Sequence, residues 1–190
     1  MKSDIKARLL DAAQRLVQTC GHNGFSFRDL SREVGIRTAS IHYHFPTKTD
    51  LAVALVRRYR ESLGAAMADI AVKKTSLAER LESTAKLYID TLNNESRACV
   101  CAALAGEYLS LPRKVQIELG KLISDSEAWM VRFLVEGRSR AEIAKDSDPV
   151  SLARLWYAAL QGALLVARTG RAEILDDVTK ALSRLTLNGK

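Results

Sequence analysis

The sequence is poor in aromatic residues, cysteine, proline and histidine, and each shortage excludes a class of protein. Phe, Trp and Tyr make up 6% of the 190 residues, so the core must be aliphatic, which favours a helical bundle. Three cysteines are too few for a disulfide framework and fit a reducing compartment. The N-terminal segment lacks the apolar core of a signal peptide, and no apolar run approaches the roughly 18 residues of a membrane span. A soluble, cytoplasmic protein without a membrane partner is therefore expected.

Signatures of catalysis and of metal binding are missing as well. The sequence has no GxSxG, P-loop or HExxH motif. His42 and His44 lie two residues apart on one predicted helix, so their side chains cannot converge on a metal ion, and the same holds for Cys99 and Cys101. No enzymatic activity, no cofactor and no metal are expected.

The charge of the chain is concentrated in its N-terminal third. Residues 1–60 hold 11 Lys and Arg against 5 Asp and Glu, a net +6, whereas the remaining 130 residues carry a net +1. A local basic excess suits a polyanion such as nucleic acid or an anionic membrane, although a solvated basic face would show the same excess. Charge alone leaves these readings open.

Apolar residues recur at helical spacing along the whole chain, and no segment alternates as a strand does. The pattern predicts an all-α fold of about nine helices, with the prolines at helix boundaries. Side-chain caps are expected at Ser26 with Asp29, at Thr47 with Asp50, and at Asp148 before a proline. A small-residue helix is predicted over 97–111, and the polar segment 137–149 is expected to be a mobile loop.

Residues 27–45, FRDLSREVGIRTASIHYHF, have the pattern of a helix-turn-helix. Ser31, four residues before Gly35, is small enough for two helices to cross closely, and Gly35 supplies the positive φ of a tight turn. Four apolar side chains can fill the space between the two helices: Leu30, Val34, Ile36 and Ile41. An ordinary αα-hairpin is the alternative, but the basic excess coincides with this segment.

A recognition helix in the major groove presents its first residues to base edges. Candidate base contacts here are Arg37, Thr38, Ala39, Ser40 and His42. Arg37 could read a guanine or clamp a phosphate, and the Thr38 and Ser40 hydroxyls could bond either bases or phosphates. Contacts to the phosphate backbone, which position the protein, are expected from Arg28, Tyr43, His44, Thr47 and Lys48.

The same residues resemble the TetR family of bacterial regulators. The resemblance rests on Gly24-Phe25-Ser26-Phe27-Arg28-Asp29-Leu30, on Val34-Gly35-Ile36, on the run from Ser40 to Lys48, and on Leu51. The chain departs from the family pattern at three positions, where the family usually has Ser, Gly and Tyr: Arg37, Ala39 and His42. Loss of that Ser weakens one expected helix cap, which Thr38 is expected to replace.

The resemblance implies a helix-turn-helix DNA-binding domain at 1–47 and a ligand-binding and dimerisation domain at 48–190. It implies a homodimer, joined through the last two helices of each chain, on a near-palindromic double-stranded operator. The apolar stripes of 150–168 and 172–187 favour this dimer, although they could simply complete the core. A repressor released by a small molecule or a reactive electrophile is expected. A non-regulatory architectural DNA-binding protein is the alternative.

The resemblance also implies a ligand pocket in the C-terminal part, whose inducer the sequence does not identify. Candidate lining residues are Tyr88, Cys99, Leu104, Tyr108, Trp129, Phe133, Trp156 and Arg168, and plain core packing is the alternative for each. Cys99 matches a position at which one branch of the family senses electrophiles or oxidants, and it is expected in the first turn of helix 6 beside Arg97. Both Cys99 and Cys101 could equally be small buried residues.

Overall fold

The computed structural model describes residues 2–187, with side chains described from Asp4 onward. This part of the chain consists of nine α-helices and one short 3₁₀ helix, without a strand, as predicted. The α-helices are α1 (Lys2–Cys20), α2 (Phe27–Val34), α3 (Thr38–His44), α4 (Lys48–Lys73), α5 (Leu77–Asn93), α6 (Val100–Gly106), α7 (Arg113–Ser139), α8 (Pro149–Ala167) and α9 (Glu173–Thr186). The 3₁₀ helix is Tyr108–Ser110.

The helix starts follow the predicted caps. Ser26 and Asp29 form a reciprocal capping box at α2, and Thr47 and Asp50 exchange equivalent hydrogen bonds at α4. The Asp148 side chain accepts from the first free amides of α8, and a proline occupies the first turn. These polar residues fix where the helices begin, because they satisfy amides that have no partner within the helix.

The predicted cap of α3 is wrong. The N-cap position of α3 is Arg37, which makes no side-chain cap hydrogen bond, so Thr38 does not replace the missing serine. Thr38 already lies inside the helix, where its hydroxyl is past the cap position. The first turn of α3 is therefore closed by the backbone hydrogen bond from the Ser40 amide to the Arg37 carbonyl and not by a side-chain cap.

The described residues group into two compact units. The first comprises residues 1–61 and 100–122, and the second comprises 62–99 and 123–190. This grouping does not follow the predicted boundary at residues 47 and 48, because the start of α4, all of α6 and the start of α7 belong with the N-terminal helices. The functional division at that boundary stays a prediction.

Each unit has its own aliphatic core. In the first unit, α1 packs against α2 and α6, and α2 packs against α3. Its fully buried side chains include Leu9, Leu30, Ile41, Leu55 and Leu104. In the second unit, α8 packs against α5 and α9, and α5 also packs against α9. Its fully buried side chains include Leu77, Leu81, Phe133, Trp156 and Leu160.

The helix predicted over 97–111 is shorter than expected. Glu95 and Ser96 both have positive φ, which excludes these two residues from a right-handed helix, and α6 begins only at Val100. After Gly106 the chain changes to the 3₁₀ helix, whose N-cap is Glu107. Cys99 thus precedes α6 by one residue instead of lying in its first turn.

The segment expected to be a mobile loop, 137–149, is anchored in the second unit. α7 continues to Ser139, and Ile143 beyond it is fully buried. The Glu142 carboxylate accepts from the Leu77 amide, and the Arg140 guanidinium donates to the Thr75 carbonyl. Polar composition misled the prediction, because these polar side chains bind backbone groups at the start of α5.

The expectation that no apolar stretch approaches a membrane span needs correction for α8. Among the described helices, α8 alone is long and apolar enough to cross a membrane by length and composition, since Arg154 is its only charged residue. Such a test is also passed by core helices of soluble proteins, and 39% of the tested stretch is buried within the fold.

Candidate nucleic-acid interface

The turn between α2 and α3 is built by Ser31 and Gly35. Gly35 has φ +74°, and its amide donates to the Ser31 carbonyl at 3.0 Å, as does the Ile36 amide at 3.2 Å. The Ser31 hydroxyl donates to the Ile36 carbonyl on the far side of the turn. The sequence predicts a role for the small size of Ser31 only, whereas in the structure its hydroxyl also ties α2 to the start of α3.

Arg8 supports the same turn from α1, and sequence reasoning missed it. One of its terminal nitrogens donates to the carbonyl of Val34, the last residue of α2, at 2.9 Å. A cation at a helix C-terminus stabilises the unpaired carbonyls there. The position of Arg8 next to the buried Leu9 was the available signal, because it places a long basic side chain at the edge of the packed face of α1.

α3 turns most of its predicted DNA contacts toward solvent. Ile41 is fully buried and anchors the helix. Tyr43 is 69% exposed, a large exposure for an aromatic side chain. Four further predicted contacts are exposed, namely Arg37, Ala39, Ser40 and His42, while Thr38 and His44 are half-buried. The structure therefore brings the predicted base contacts together on one short, accessible helix.

The imidazole of His42 is held in one orientation. Its Nδ1 lies 3.1 Å from the Pro46 carbonyl oxygen, and its ring meets the edge of the Phe27 ring at a centroid distance of 5.0 Å. Because a carbonyl oxygen only accepts, we assign the proton of the neutral ring to Nδ1. Nε2 is then left as a hydrogen-bond acceptor.

The predicted phosphate contacts fall into two groups. The Arg28 side chain is exposed on α2, whereas Thr47 uses its hydroxyl in the cap of α4. The Lys48 ammonium donates to the Phe25 carbonyl and lies 4.3 Å from the centroid of the Phe25 ring. Burial lowers the pKa of Lys48, and the nearby Glu107 opposes that shift. Lys48 thus braces Phe25, in the segment between α1 and α2.

Glu118 joins α4 to α7 within the first unit. Its carboxylate lies 2.9 Å from Arg57, 3.5 Å from Arg60 and 3.0 Å from Lys121. Its hydrogen bonds from Arg57 and Lys121 lower the pKa of Glu118 to about 2. The carboxylate is therefore ionised at neutral pH and pairs with Arg57 and Arg60 of α4, the helix that follows the recognition helix, and with Lys121 of its own helix α7.

The candidate pocket residues are divided between the two units. Leu104 and Tyr108 belong to the first, and Tyr88, Trp129, Phe133, Trp156 and Arg168 belong to the second, together with Cys99. Trp156 is fully buried, and its indole nitrogen donates to the Thr186 hydroxyl at 2.8 Å. Phe133 is buried under the Arg80 guanidinium, 5.1 Å from its ring centroid. Both aromatic side chains thus have well-defined packing partners in the core.

Cys99 lies against a polar side chain of α8. The Gln161 amide nitrogen donates to its sulfur at 3.7 Å, and the side chain of Cys99 is buried. Arg168 donates to the Ser96 carbonyl at 2.7 Å, so it binds the segment that leads to Cys99. The predicted neighbour Arg97 pairs with Glu95 at 2.6 Å.

A groove of about 540 Å³ lies between α5 and α9 in the second unit. Its lining is mixed in charge and includes Glu82, Lys86, Ile89, Asp176 and Arg184. None of the predicted pocket residues lines this groove.

The exposed recognition helix on a helical head, followed by a larger helical part, defines a helix-turn-helix DNA-binding transcriptional regulator. Two family profiles match the chain: residues 9–55 match "Bacterial regulatory proteins, tetR family", and residues 78–182 match "Tetracyclin repressor-like, C-terminal domain". The chain belongs to the TetR family, whose members are operator-binding transcriptional regulators of the repressor type and not enzymes. The architectural alternative is thereby set aside.

Individual proteins agree with this assignment. A TetR-family transcriptional regulator from Agrobacterium tumefaciens superposes with a TM-score of 0.94 at 29% identity, covering 99% of this chain and 100% of that one. A TetR transcriptional regulator from Legionella pneumophila has a TM-score of 0.84 at 30% identity, covering 94% and 95%. The HTH-type transcriptional regulator LmrA of Bacillus subtilis (strain 168) is 32% identical over 84 residues. That match spans 44% of this chain and 45% of LmrA.

Proposed function

We propose that this regulator is a homodimer, joined through α8 and α9, that binds a near-palindromic operator in the cytoplasm and leaves it when an inducer binds. The observation that carries the dimer is an exposed apolar surface on both helices. On α8 it comprises Leu155, Ala158, Gly162, Leu165 and Val166, and on α9 it comprises Ala181 and Leu185.

The spacing of these residues forms a continuous stripe on each helix. Positions 155, 158, 162, 165 and 166 follow the three- and four-residue steps of one helix face. On α9, the half-buried Ile174 and Val178 extend the exposed pair along the same face. The small residues Ala158 and Gly162 leave room for a second helix to approach closely. Two such stripes, packed side by side, present a face that a copy of itself can cover in a four-helix interface.

The dimer is tested by Leu165→Glu, with Val72→Glu as the matched control. Leu165 lies within the stripe, whereas Val72 is 84% exposed on α4 and outside it. Light scattering after size exclusion should give the mass of a monomer for Leu165→Glu and of a dimer for Val72→Glu. A dimeric Leu165→Glu protein would refute the α8–α9 interface.

Operator reading is assigned to the exposed face of α3. The residues proposed to face base edges are Arg37, Thr38, Ala39, Ser40 and His42. Those proposed to face the phosphate backbone of the DNA are Arg28, Tyr43, His44, Thr47 and Lys48. With its proton on Nδ1, His42 offers Nε2 as an acceptor for the exocyclic amine of adenine or cytosine.

This assignment predicts which substitution preserves reading. His42→Gln keeps an acceptor near Nε2, and His42→Asn keeps only the donor near Nδ1. Affinity for a footprinted operator should therefore change less in His42→Gln than in His42→Asn. If Lys48→Ala alters base preference instead of overall affinity, its assignment to phosphate is wrong.

The inducer is proposed to bind in the second unit, among Tyr88, Cys99, Trp129, Phe133, Trp156 and Arg168. For Leu104 and Tyr108 of the first unit, an inducer contact stays a separate prediction. An inducer releases DNA only if it binds the DNA-free conformation more tightly than the bound one. Cys99 offers a covalent route, because its thiol directly precedes α6 and contacts Gln161.

N-ethylmaleimide tests this covalent route. The Cys99 sulfur, after losing its proton, forms a C–S bond to one alkene carbon, and the other alkene carbon takes up a proton. Operator release should follow modification of Cys99 in a Cys20→Ser, Cys101→Ser background. Unchanged binding after mass spectrometry shows the adduct would exclude Cys99 as the sensor.

A further inference from the structure

The imidazole of His42 is held by two groups from outside α3. Its Nδ1 atom lies 3.1 Å from the carbonyl oxygen of Pro46, which follows the end of the helix. Its ring meets the Phe27 ring at a centroid distance of 5.0 Å and an interplanar angle of 68°. All three residues belong to the first compact unit. His42 is exposed to solvent, yet two separate contacts set the orientation of its ring.

Both of these groups have fixed positions. Phe27 is the first residue of α2, and the capping box of Ser26 and Asp29 determines where that helix begins. Pro46 has a restricted φ and directly follows Phe45, whose side chain is buried and whose amide closes the last turn of α3. The exposed imidazole is therefore attached to two parts of the backbone that do not move with it when it rotates.

The orientation of the imidazole decides which hydrogen bonds it can make. With the proton on Nδ1 and bonded to the Pro46 carbonyl, a neutral ring presents Nε2 as an acceptor only. An acceptor at this place bonds the exocyclic amine of adenine or cytosine, and it opposes the carbonyl oxygen of guanine or thymine. A ring that is free to rotate can instead carry its proton on Nε2 and donate to those same oxygens. Holding the ring thus makes an ambiguous side chain selective.

We propose that Phe27 is a positioning residue for base reading: its ring keeps the His42 imidazole in the orientation that is bonded to Pro46. A single solvent-exposed hydrogen bond competes with water and is weak. The edge contact with an aromatic ring adds a preference for one ring plane, which a hydrogen bond at one atom does not set. This inference rests on the proposed reading of a base by His42, and it does not require the dimer.

The first measurement is made without DNA. Protein labelled with nitrogen-15 at its three histidines is studied by NMR at about pH 8.5, where an exposed imidazole is neutral, and His42→Gln identifies the signals of His42. Wild type should show the Nδ1–H tautomer. Phe27→Leu keeps an apolar side chain but removes the ring, so it should show a mixture of both tautomers. Phe27→Tyr keeps the ring and should behave as wild type. An unchanged tautomer in Phe27→Leu would overturn the positioning role.

The second measurement is base preference. The probes are the footprinted operator and duplexes in which one base pair at a time is exchanged, so that guanine replaces adenine or thymine replaces cytosine. The position read by His42 is the one at which His42→Ala loses discrimination. There, wild type should bind the exchanged duplex about 10-fold more weakly than the operator. Phe27→Leu should distinguish the two by no more than about threefold, and Phe27→Tyr should retain the wild-type ratio.

A double substitution separates positioning from a general loss of structure. If Phe27 acts through His42, Phe27→Leu should not change discrimination at this position any further in a His42→Ala background, because no imidazole is left to orient. Discrimination at the other positions of the operator should stay as in wild type. A general disturbance of α2 would instead weaken binding to every duplex by a similar factor.

The outcomes distinguish this inference from the proposed function. If His42→Ala alters discrimination at no position, the proposed reading by His42 fails, and the positioning role fails with it. If His42→Ala removes discrimination at one position but Phe27→Leu retains it, the reading stands and the positioning role is overturned. Equal weakening on all duplexes by Phe27→Leu has the same consequence. A selective loss at that position in Phe27→Leu, absent in Phe27→Tyr, supports the positioning role.

Discussion

Glu118 offers a direct test of how the first unit is held together. Its side chain is 5% exposed, and its carboxylate binds Arg57 and Lys121. Replacement by Gln keeps the shape of the side chain and removes its charge. The surrounding cations, Arg60 among them, then lose the anion that faces them.

The size of the effect follows from the shift in pKa. The pKa of Glu118 falls from 4.5 to about 2, which corresponds to an upper limit of about 3 kcal/mol at 1.36 kcal/mol per unit. Arg57 and Lys121 are 57% and 53% exposed, so solvent screening reduces this value. We expect Glu118→Gln to lower the unfolding free energy by about 2 kcal/mol at about pH 7, and the melting temperature by about 4–8 °C.

The dependence on pH has a defined sign. A carboxyl whose pKa is lower in the folded state stabilises the fold above its unfolded pKa, here 4.5, and loses that contribution as the pH falls toward about 2. The difference in unfolding free energy between wild type and Glu118→Gln should therefore be constant above about pH 5.5 and shrink below about pH 4.5.

Urea unfolding followed by circular dichroism measures this difference. Protein concentration is held constant, since the unfolding of a dimer depends on it. Glu61→Gln, an exposed change on α4, should lower the unfolding free energy by less than about 0.5 kcal/mol. A difference that stays constant from about pH 7 down to about pH 3 would refute the reasoning, because the ionised carboxylate could not then be its source.

Three further substitutions test other elements by thermal unfolding. Gly24→Ala would place a methyl group 2.1 Å from the Cys20 carbonyl oxygen and should destabilise the protein by about 1–3 kcal/mol. Gly64→Ala meets nothing within 4 Å and should stabilise α4 by up to about 1 kcal/mol, so equal melting temperatures of the two variants would contradict this reasoning. Arg80→Met removes a buried guanidinium that binds Glu136 and two carbonyls, and should lower the unfolding free energy by about 2–3 kcal/mol. Arg154→Met, the matched change at an exposed arginine, should have little effect on it. Ser26→Ala should cost about 1 kcal/mol and Ser26→Asp much less, because Asp can still cap α2; an equal loss would exclude the cap as the cause.

Local features of the fold were predictable because they depend on neighbours in the sequence. A capping box needs only Ser26 and Asp29, three residues apart, and the α2–α3 turn needs Gly35 with its positive φ. The burial of Leu30 and Ile41 followed from helical periodicity. The family resemblance rested on this same short segment and proved correct.

The predictions that failed concern segments whose structure depends on contacts between distant residues. The helix expected over 97–111 is interrupted, and Glu107 reaches back to Asn23, 84 residues earlier. The segment 137–149 is anchored through Glu142 to Leu77, 65 residues away. No local pattern distinguishes a glutamate that binds a distant amide from one that faces solvent.

By itself, the sequence determined an all-helical chain with a basic helix-turn-helix head and the family to which it belongs. These properties depend on composition, periodicity and short spacings, which are local features of the sequence. Only the tertiary structure decided that Lys48 and Glu107 bind the segment between α1 and α2 and that Trp156 binds Thr186 in the core. It also decided which apolar positions of α8 and α9 stay exposed. Burial and hydrogen bonding between distant residues arise only when the helices pack, so they are properties of the folded chain.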